Sequence, residues 1–116
     1  MHEMSLIEGI TKVVAEKAAE KEIKNITKIK LVVGKLTNAF PEALQMAFKV
    51  LKAEERIFDT KAELEIEEKI IQGKCNDCSK EFEIYNNYSF LCAECGSLNV
   101  SIVSGRELYV DYFEGE

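Results

Sequence analysis

Tryptophan is missing from this sequence, proline occurs once, as Pro41, and histidine once, as His2. A single histidine excludes the His-Glu-x-x-His zinc hydrolases, and no nucleophile stands with a recognisable base, so no catalytic residues are assigned. Basic residues are also scarce: 15 lysines and arginines face 21 aspartates and glutamates, for a net charge of −6. Nucleic acid and anionic membranes need clustered cations, so neither is expected as a partner. No apolar run approaches the roughly 20 residues of a membrane span. The first residues lack a basic stretch followed by an apolar one, so no secretory signal is expected and the reading is a cytoplasmic protein. There is no low-complexity linker and no internal repeat outside the cysteine region. A chain of 116 residues that is 47% hydrophobic supports a modest core: one domain, or a small domain with a metal-stapled satellite.

All four cysteines fall in one short stretch. Cys75-Asn-Asp-Cys78 is followed by thirteen residues and then by Cys92-Ala-Glu-Cys95-Gly96. Thiolates two residues apart converge from a tight turn, and two such turns make the closed tetrahedral set that structural zinc takes. Ser79 and Gly96 directly follow the two pairs, where small residues let the backbone bend round a metal. In a reducing cytosol paired cysteines read as metal ligands and not as disulfides.

Periodicity places the rest. Ser5 stands three residues before Glu8, the spacing of a capping box. Leu6, Ile7, Ile10, Val13, Val14 and Ala18 then recur at helical spacing, predicting a helix from Ser5 to Lys21. Ile29, Leu31 and Val33 alternate with Lys28 and Lys30, predicting a half-buried strand from Ile26 to Val33. Pro41 opens a second helix carrying Leu44, Ala47, Phe48 and Leu51 and ending near Glu54. Ala62, Leu64, Ile66 and Ile70 predict a second strand. Between the cysteine pairs, 81–85 and 88–91 flank Asn86-Asn87 as a short hairpin. Leu108, Val110 and Tyr112 alternate with Tyr109, Asp111 and Phe113 as the last strand. The expected fold is α+β: two helices on one face of a three-stranded sheet, with an inserted zinc-ribbon-like module. The expected domains are 1–71, completed by the final strand in 105–116, and a zinc module at 72–104.

Two chemistries compete for the cysteine module. From Gln72 to Val100 the only cations are Lys74 and Lys80, against Asp77, Glu81, Glu83 and Glu94. Four thiolates on a zinc ion add about two further negative charges. Such a surface repels phosphate. Neither cysteine pair opens a helix in a βαβ setting, so a redox role is disfavoured, and a closed thiolate set leaves no open position for catalysis. The module reads as a folding staple, with a zinc-ribbon adaptor for a protein or nucleic acid as the alternative.

The amino terminus offers a second metal chemistry. The amine of Met1, the backbone nitrogen of His2 and its imidazole can close adjacent chelate rings on one ion, with Glu3 supplying a further donor. Nitrogen-rich sets of this kind suit Ni(II) or Cu(II) better than zinc. Methionine is expected to persist before a residue as bulky as His2.

Together, Met1-His2-Glu3, the helix after it, Pro41-Glu42-Ala43-Leu44 with Ala47-Phe48, the two cysteine pairs with Gly96, and Gly105-x-Glu107-Leu108 resemble the HypA/HybF family over essentially the whole chain. The resemblance implies a non-enzymatic nickel metallochaperone of [NiFe]-hydrogenase maturation. In that reading His2 matches the essential nickel ligand, with Met1 and Glu3 as its neighbours, and nickel is transferable cargo. Cys75, Cys78, Cys92 and Cys95 match the ligands of a structural zinc. The implied partners are a nickel-inserting GTPase, the hydrogenase large subunit and, in some organisms, urease maturation proteins. One departure is the alanine after Cys92, where a proline often stands; it removes no ligand.

Overall fold

The computed structural model describes residues 3–85 and 90–116. These divide into two compact units, one made of Met1–Val32, Ala39–Glu67 and Tyr109–Glu116, the other of Val33–Asn38 and Glu68–Leu108.

In the first unit, helix α1 spans Glu3–Glu20 and buries Ile7, Thr11, Val14 and Ala18, one residue per turn. The helix starts two residues earlier than expected. Ser5 therefore lies inside the first turn and is not the cap. The carboxyl end has no glycine, yet it closes with the paired bonds of a Schellman motif: the Ile23 amide donates to the Ala18 carbonyl (2.8 Å) and the Glu22 amide to that of Ala19 (3.1 Å). Glu22 takes the left-handed conformation this requires, at φ 60°.

Strand β1 (Ile26–Gly34) runs through the middle of a sheet ordered β2-β1-β6, with β2 at Phe58–Lys69 and β6 at Leu108–Gly115. The three expected strands thus make one sheet. Helix α2 (Pro41–Glu54) has proline at its start and buries Leu44, Ala47, Phe48 and Leu51. It is tied to β2 by two side chains: Gln45 donates to the Leu64 carbonyl, and Lys52 to that of Ala62 at 2.9 Å. Phe48 and Phe58 meet edge to face, 5.6 Å between ring centres. Both helices cover the face that carries Ile29 and Leu31, which are fully buried.

The other face of this sheet is ionic. Lys28 and Lys30 each lie 3.1 Å from Glu65, and Lys30 lies 3.3 Å from Glu67. The Tyr112 ring sits 5.6 Å from the Lys28 ammonium and 5.9 Å from that of Lys30. Tyr112 therefore shares the lysine face, and strand alternation turns Asp111 and Phe113 towards the helices.

The second unit has a sheet of its own, ordered β4-β3-β5, with β3 at Ile71–Cys75, β4 at Glu81–Ile84 and β5 at Val100–Ser104. Neither β3 nor β5 was expected. β3 carries Gly73 at its centre, a residue that weakens a strand signal. A β-carbon there would lie 2.9 Å from Val100 Cγ1 and 3.0 Å from Ile84 Cδ1, so those two side chains pack directly over the glycine and would have to shift to admit one. Of the expected hairpin between 81–85 and 88–91, the turn and the start of the second arm lie outside the described residues. β4 forms, but its partner is β3, in the register Ile71↔Ile84, Gln72↔Glu83, Lys74↔Glu81. Aliphatic and opposite-charge pairs fall in line in that register. Phe90 and Leu91 are not in a strand, and Asn86, Asn87, Tyr88 and Ser89 lie outside the described residues. β2 ends at Lys69, so Ile70 falls between strands and is exposed.

Candidate metal centre

The four cysteines are gathered by two turns of the same design. In the first, the Ser79 amide donates to the Cys75 carbonyl and the Cys75 amide to the Lys80 carbonyl, both at 2.9 Å. In the second, the Gly96 amide donates to the Cys92 carbonyl and the Cys92 amide to the Ser97 carbonyl, both at 3.0 Å. The residue after each pair is left-handed, Ser79 at φ 64° and Gly96 at φ 72°. This is the bend anticipated from the two small residues.

All four sulfur atoms lie within 4.8 Å of one another. Cys75 and Cys95 are 3.6 Å apart, as are Cys78 and Cys92. A tetrahedral ion with bonds of about 2.3 Å spaces its sulfurs by about 3.8 Å, so the donor set fits zinc in kind and in span. Backbone amides point at the sulfurs: Cys78 N–H at Cys75 Sγ (3.4 Å), and Glu94 and Cys95 N–H at Cys92 Sγ (3.4 and 3.5 Å). The Cys95 amide is the main reason the Cys92 thiol is lowered to about 7, with the Glu94 amide adding to it. For Cys78 the Lys80 amide acts in the same direction, but burial and the other three thiols outweigh it and its pKa is raised. The first cysteine of each pair is buried and the second exposed. One side of the cluster therefore rests on protein and the other meets solvent.

Several residues that the spacing analysis passed over hold the two turns together. Ser97 donates to Asp77, and the Asn99 side chain donates to the same carboxylate at 3.3 Å. The Asn76 side chain donates to Asn99 Oδ1 (3.1 Å) and Ser101 Oγ (2.9 Å), while its amide donates to the Asn99 carbonyl (2.8 Å). Short polar residues beside a cysteine turn were the available signal; the pairing across twenty residues was not.

Gly105-x-Glu107 also gains a physical role. The Gly34 amide donates to the Glu107 carbonyl (2.7 Å) and the Leu36 amide to the Gly105 carbonyl (2.8 Å). The Glu107 carboxylate accepts from the Gly105 amide at 2.8 Å. A β-carbon on Gly34 would fall 2.1 Å from the Gly105 oxygen, so this clasp needs glycine.

Of the expected nickel residues, Met1 and His2 lie outside the described residues. Glu3 is the first residue of α1 and is half-buried. Among the described residues the cysteine set is the one cluster able to hold a metal ion.

A small α+β protein with four thiols gathered at one centre carries a site that could hold a metal ion. The family model described as "Hydrogenase/urease nickel incorporation, metallochaperone, hypA" matches residues 1–115. The chain belongs to this family. It is 43% identical to the hydrogenase maturation factor HypA of Moorella thermoacetica over 116 residues, covering 100% of both chains. It is 36% identical to that of Aquifex aeolicus, covering 100% of this chain and 98% of the relative. The solution structure of the Ni metallochaperone HypA from Helicobacter pylori shares the fold at TM-score 0.66 and 24% identity, covering 99% of this chain and 97% of that one. A second solution structure of a HypA protein does so at TM-score 0.70, also at 24% identity. No helix among the described residues is long and apolar enough to cross a membrane.

Proposed function

We propose that this chain carries Ni(II) on its first three residues and delivers it during [NiFe]-hydrogenase maturation, and to urease in organisms that make it. The observation that carries the reading is the match of the nickel-incorporation family along 1–115, in a chain whose four-cysteine cluster forms a closed set. Cys75, Cys78, Cys92 and Cys95 hold a structural Zn(II), which organises the 68–108 segment and takes no part in exchange. Cargo needs an open, exchangeable site, and Met1, His2 and Glu3 have the nitrogen donors for one. Helical geometry supports this. Glu3 opens α1, and the first amides of a helix have no intrahelical acceptor, so a metal taking the Glu3 nitrogen breaks no helical bond. Binding displaces protons from the amine and the imidazole, a group that ordinarily titrates near neutral pH, so protonation or partner contact releases the ion. The receiving partners are a nickel-inserting GTPase and the hydrogenase large subunit.

The test is metal analysis and nickel titration of untagged protein. His2→Ala, or one residue added before Met1, is expected to abolish tight nickel binding while the zinc content and the amide spectrum of both units stay unchanged. Nickel affinity that survives both changes refutes the terminal site. A protein that keeps zinc and never binds nickel is the zinc-ribbon adaptor instead.

A further inference from the structure

Helices α1 and α2 meet the start of β2 around a groove of about 620 Å³ that lies wholly in the first unit. Its floor offers apolar surface and no free donor. Leu51 and Phe58 are buried beneath it, Ala15 and Ile57 are half-buried, and the Thr11 hydroxyl already donates to the Glu8 carbonyl at 3.1 Å. Its rims are acidic. Glu8 and Glu16 stand on α1, and Glu54 and Glu55 at the end of α2, all four exposed, with Lys12 the one cation in the lining. Four carboxylates thus face one ammonium. Among the described residues none of these five makes an ion pair. The neighbouring cations are engaged elsewhere. Lys52 gives its ammonium to the Ala62 carbonyl at 2.9 Å, and Arg56 lines two other hollows and not this one.

The placing of these charges says what fits. Glu8 and Glu16 are eight residues apart, about 12 Å along the helix, and Glu54 and Glu55 belong to the other helix. Carboxylates so spread do not converge on a single ion, and among the described residues the cysteine set remains the one cluster able to hold a metal. An extended segment is a poor match too. The groove runs between helices, whose amides and carbonyls bond internally, so a strand lying there would leave its own backbone groups unpaired. A helix brings its bonds with it. A second copy of this chain, presented groove to groove, would set the same carboxylates against one another.

We propose that this groove receives an amphipathic helix of a partner protein, apolar on the side that meets Ala15 and Ile57 and cationic on both flanks. One flank carries two arginines or lysines, seven or eight residues apart, for Glu8 and Glu16, with an acidic or neutral residue between them opposite Lys12. The other carries a cation for Glu54 and Glu55. The apolar stripe supplies affinity, and the charges supply choice and register. The pairs are exposed, so binding weakens as salt rises. The inference uses none of the nickel or zinc ligands and stands or falls apart from the nickel reading.

The probe is a capped peptide of about 18 residues, long enough to hold a helix, with alanine and leucine on one face and arginines on both flanks. It is added to the zinc-loaded full chain and followed by amide NMR. Expected are shifts confined to 8–19 and 51–58, and binding about tenfold weaker when glutamate replaces the arginines, as for the loss of two or three exposed ion pairs. Glu54→Lys with Glu55→Lys weakens the arginine peptide and strengthens the glutamate one; cations suit the end of a helix, so α2 itself is not weakened. Ala19→Trp, at an exposed position of the lining, fills one end of the groove and weakens binding while zinc and nickel content stay unchanged. No shift at millimolar peptide, shifts confined to other residues, or equal binding of both peptides overturns the proposal. So does free arginine amide that shifts the same residues at the same concentration, which makes the groove a site for small cations. Dimerisation in sedimentation equilibrium that Ala19→Trp abolishes overturns it as well, by assigning the groove to a second copy.

Discussion

Stripping the metal from the four-cysteine centre is expected to unfold one unit and spare the other. In the second unit the buried aliphatic side chains among the described residues are Val33, Ile71 and Ile84. At about 1.5–3 kcal/mol each, they contribute about 5–9 kcal/mol against the ordering of a three-stranded sheet and two irregular turns. Structural zinc in thiolate sites contributes about 10–16 kcal/mol, so a zinc ion bound here would stabilise this unit more than its apolar core does. The first unit holds Ile7, Val14, Ile26, Ile29, Leu31, Leu44, Phe48, Phe58 and Leu64 in its core and draws on no metal for them. The assay is a two-dimensional amide spectrum before and after treatment with a strong chelator, with metal content measured on the same sample. Resonances of 71–85 and 90–104 are expected to collapse to unfolded positions, and those of α1, α2 and 26–32 to remain. Readdition of one equivalent of zinc restores them. A verified metal-free protein that keeps the dispersion of Ile71–Cys75 and Val100–Ser104 refutes the reasoning.

Two further outcomes follow from particular contacts. Gly34→Ala forces a β-carbon onto the Gly105 carbonyl and breaks the bonds from Gly34 and Leu36; overpacking of about 1–3 kcal/mol with two hydrogen bonds near 1 kcal/mol each gives a loss of about 3–5 kcal/mol in urea unfolding, and a loss under about 1 kcal/mol would show that the clasp is not needed. The Lys28 ammonium, and after it that of Lys30, hold the Glu65 carboxyl below the usual carboxylate range. A depressed folded pKa stabilises the fold above the unfolded value of 4.5, and that contribution is lost as pH falls through the folded pKa. Replacing both lysines with methionine should move the Glu65 titration, read by carboxyl-carbon NMR, back upward; an unchanged titration would remove the ion pairs as the cause.

Helices and sheet strands with one wet face were legible in the sequence because burial repeats at a fixed period. Ile7, Val14 and Ala18 in α1, and Ile29 and Leu31 alternating with Lys28 and Lys30, announce their inner sides without reference to any distant residue. The cysteine centre was legible for a similar reason: two residues between thiols is a local distance that one turn sets. The sheet β4-β3-β5 was not. Ile71, Gly73 and Cys75 read as a strand only once Val100 and Ile84 close over the glycine, and those contacts come from twenty-seven and eleven residues away. The clasp of Gly34, Gly105 and Glu107 is longer still in sequence, and the hydrogen-bonded set of Asn76, Asp77, Ser97 and Asn99 also spans more than a turn or two of chain. The place of β6 at the end of its sheet is likewise set only in three dimensions, since a strand's composition does not say whether a neighbour lies beside it. Period and spacing act within a turn or two of chain and are written in the residues; pairings that close large loops depend on the whole chain having folded, and only the tertiary structure decides them.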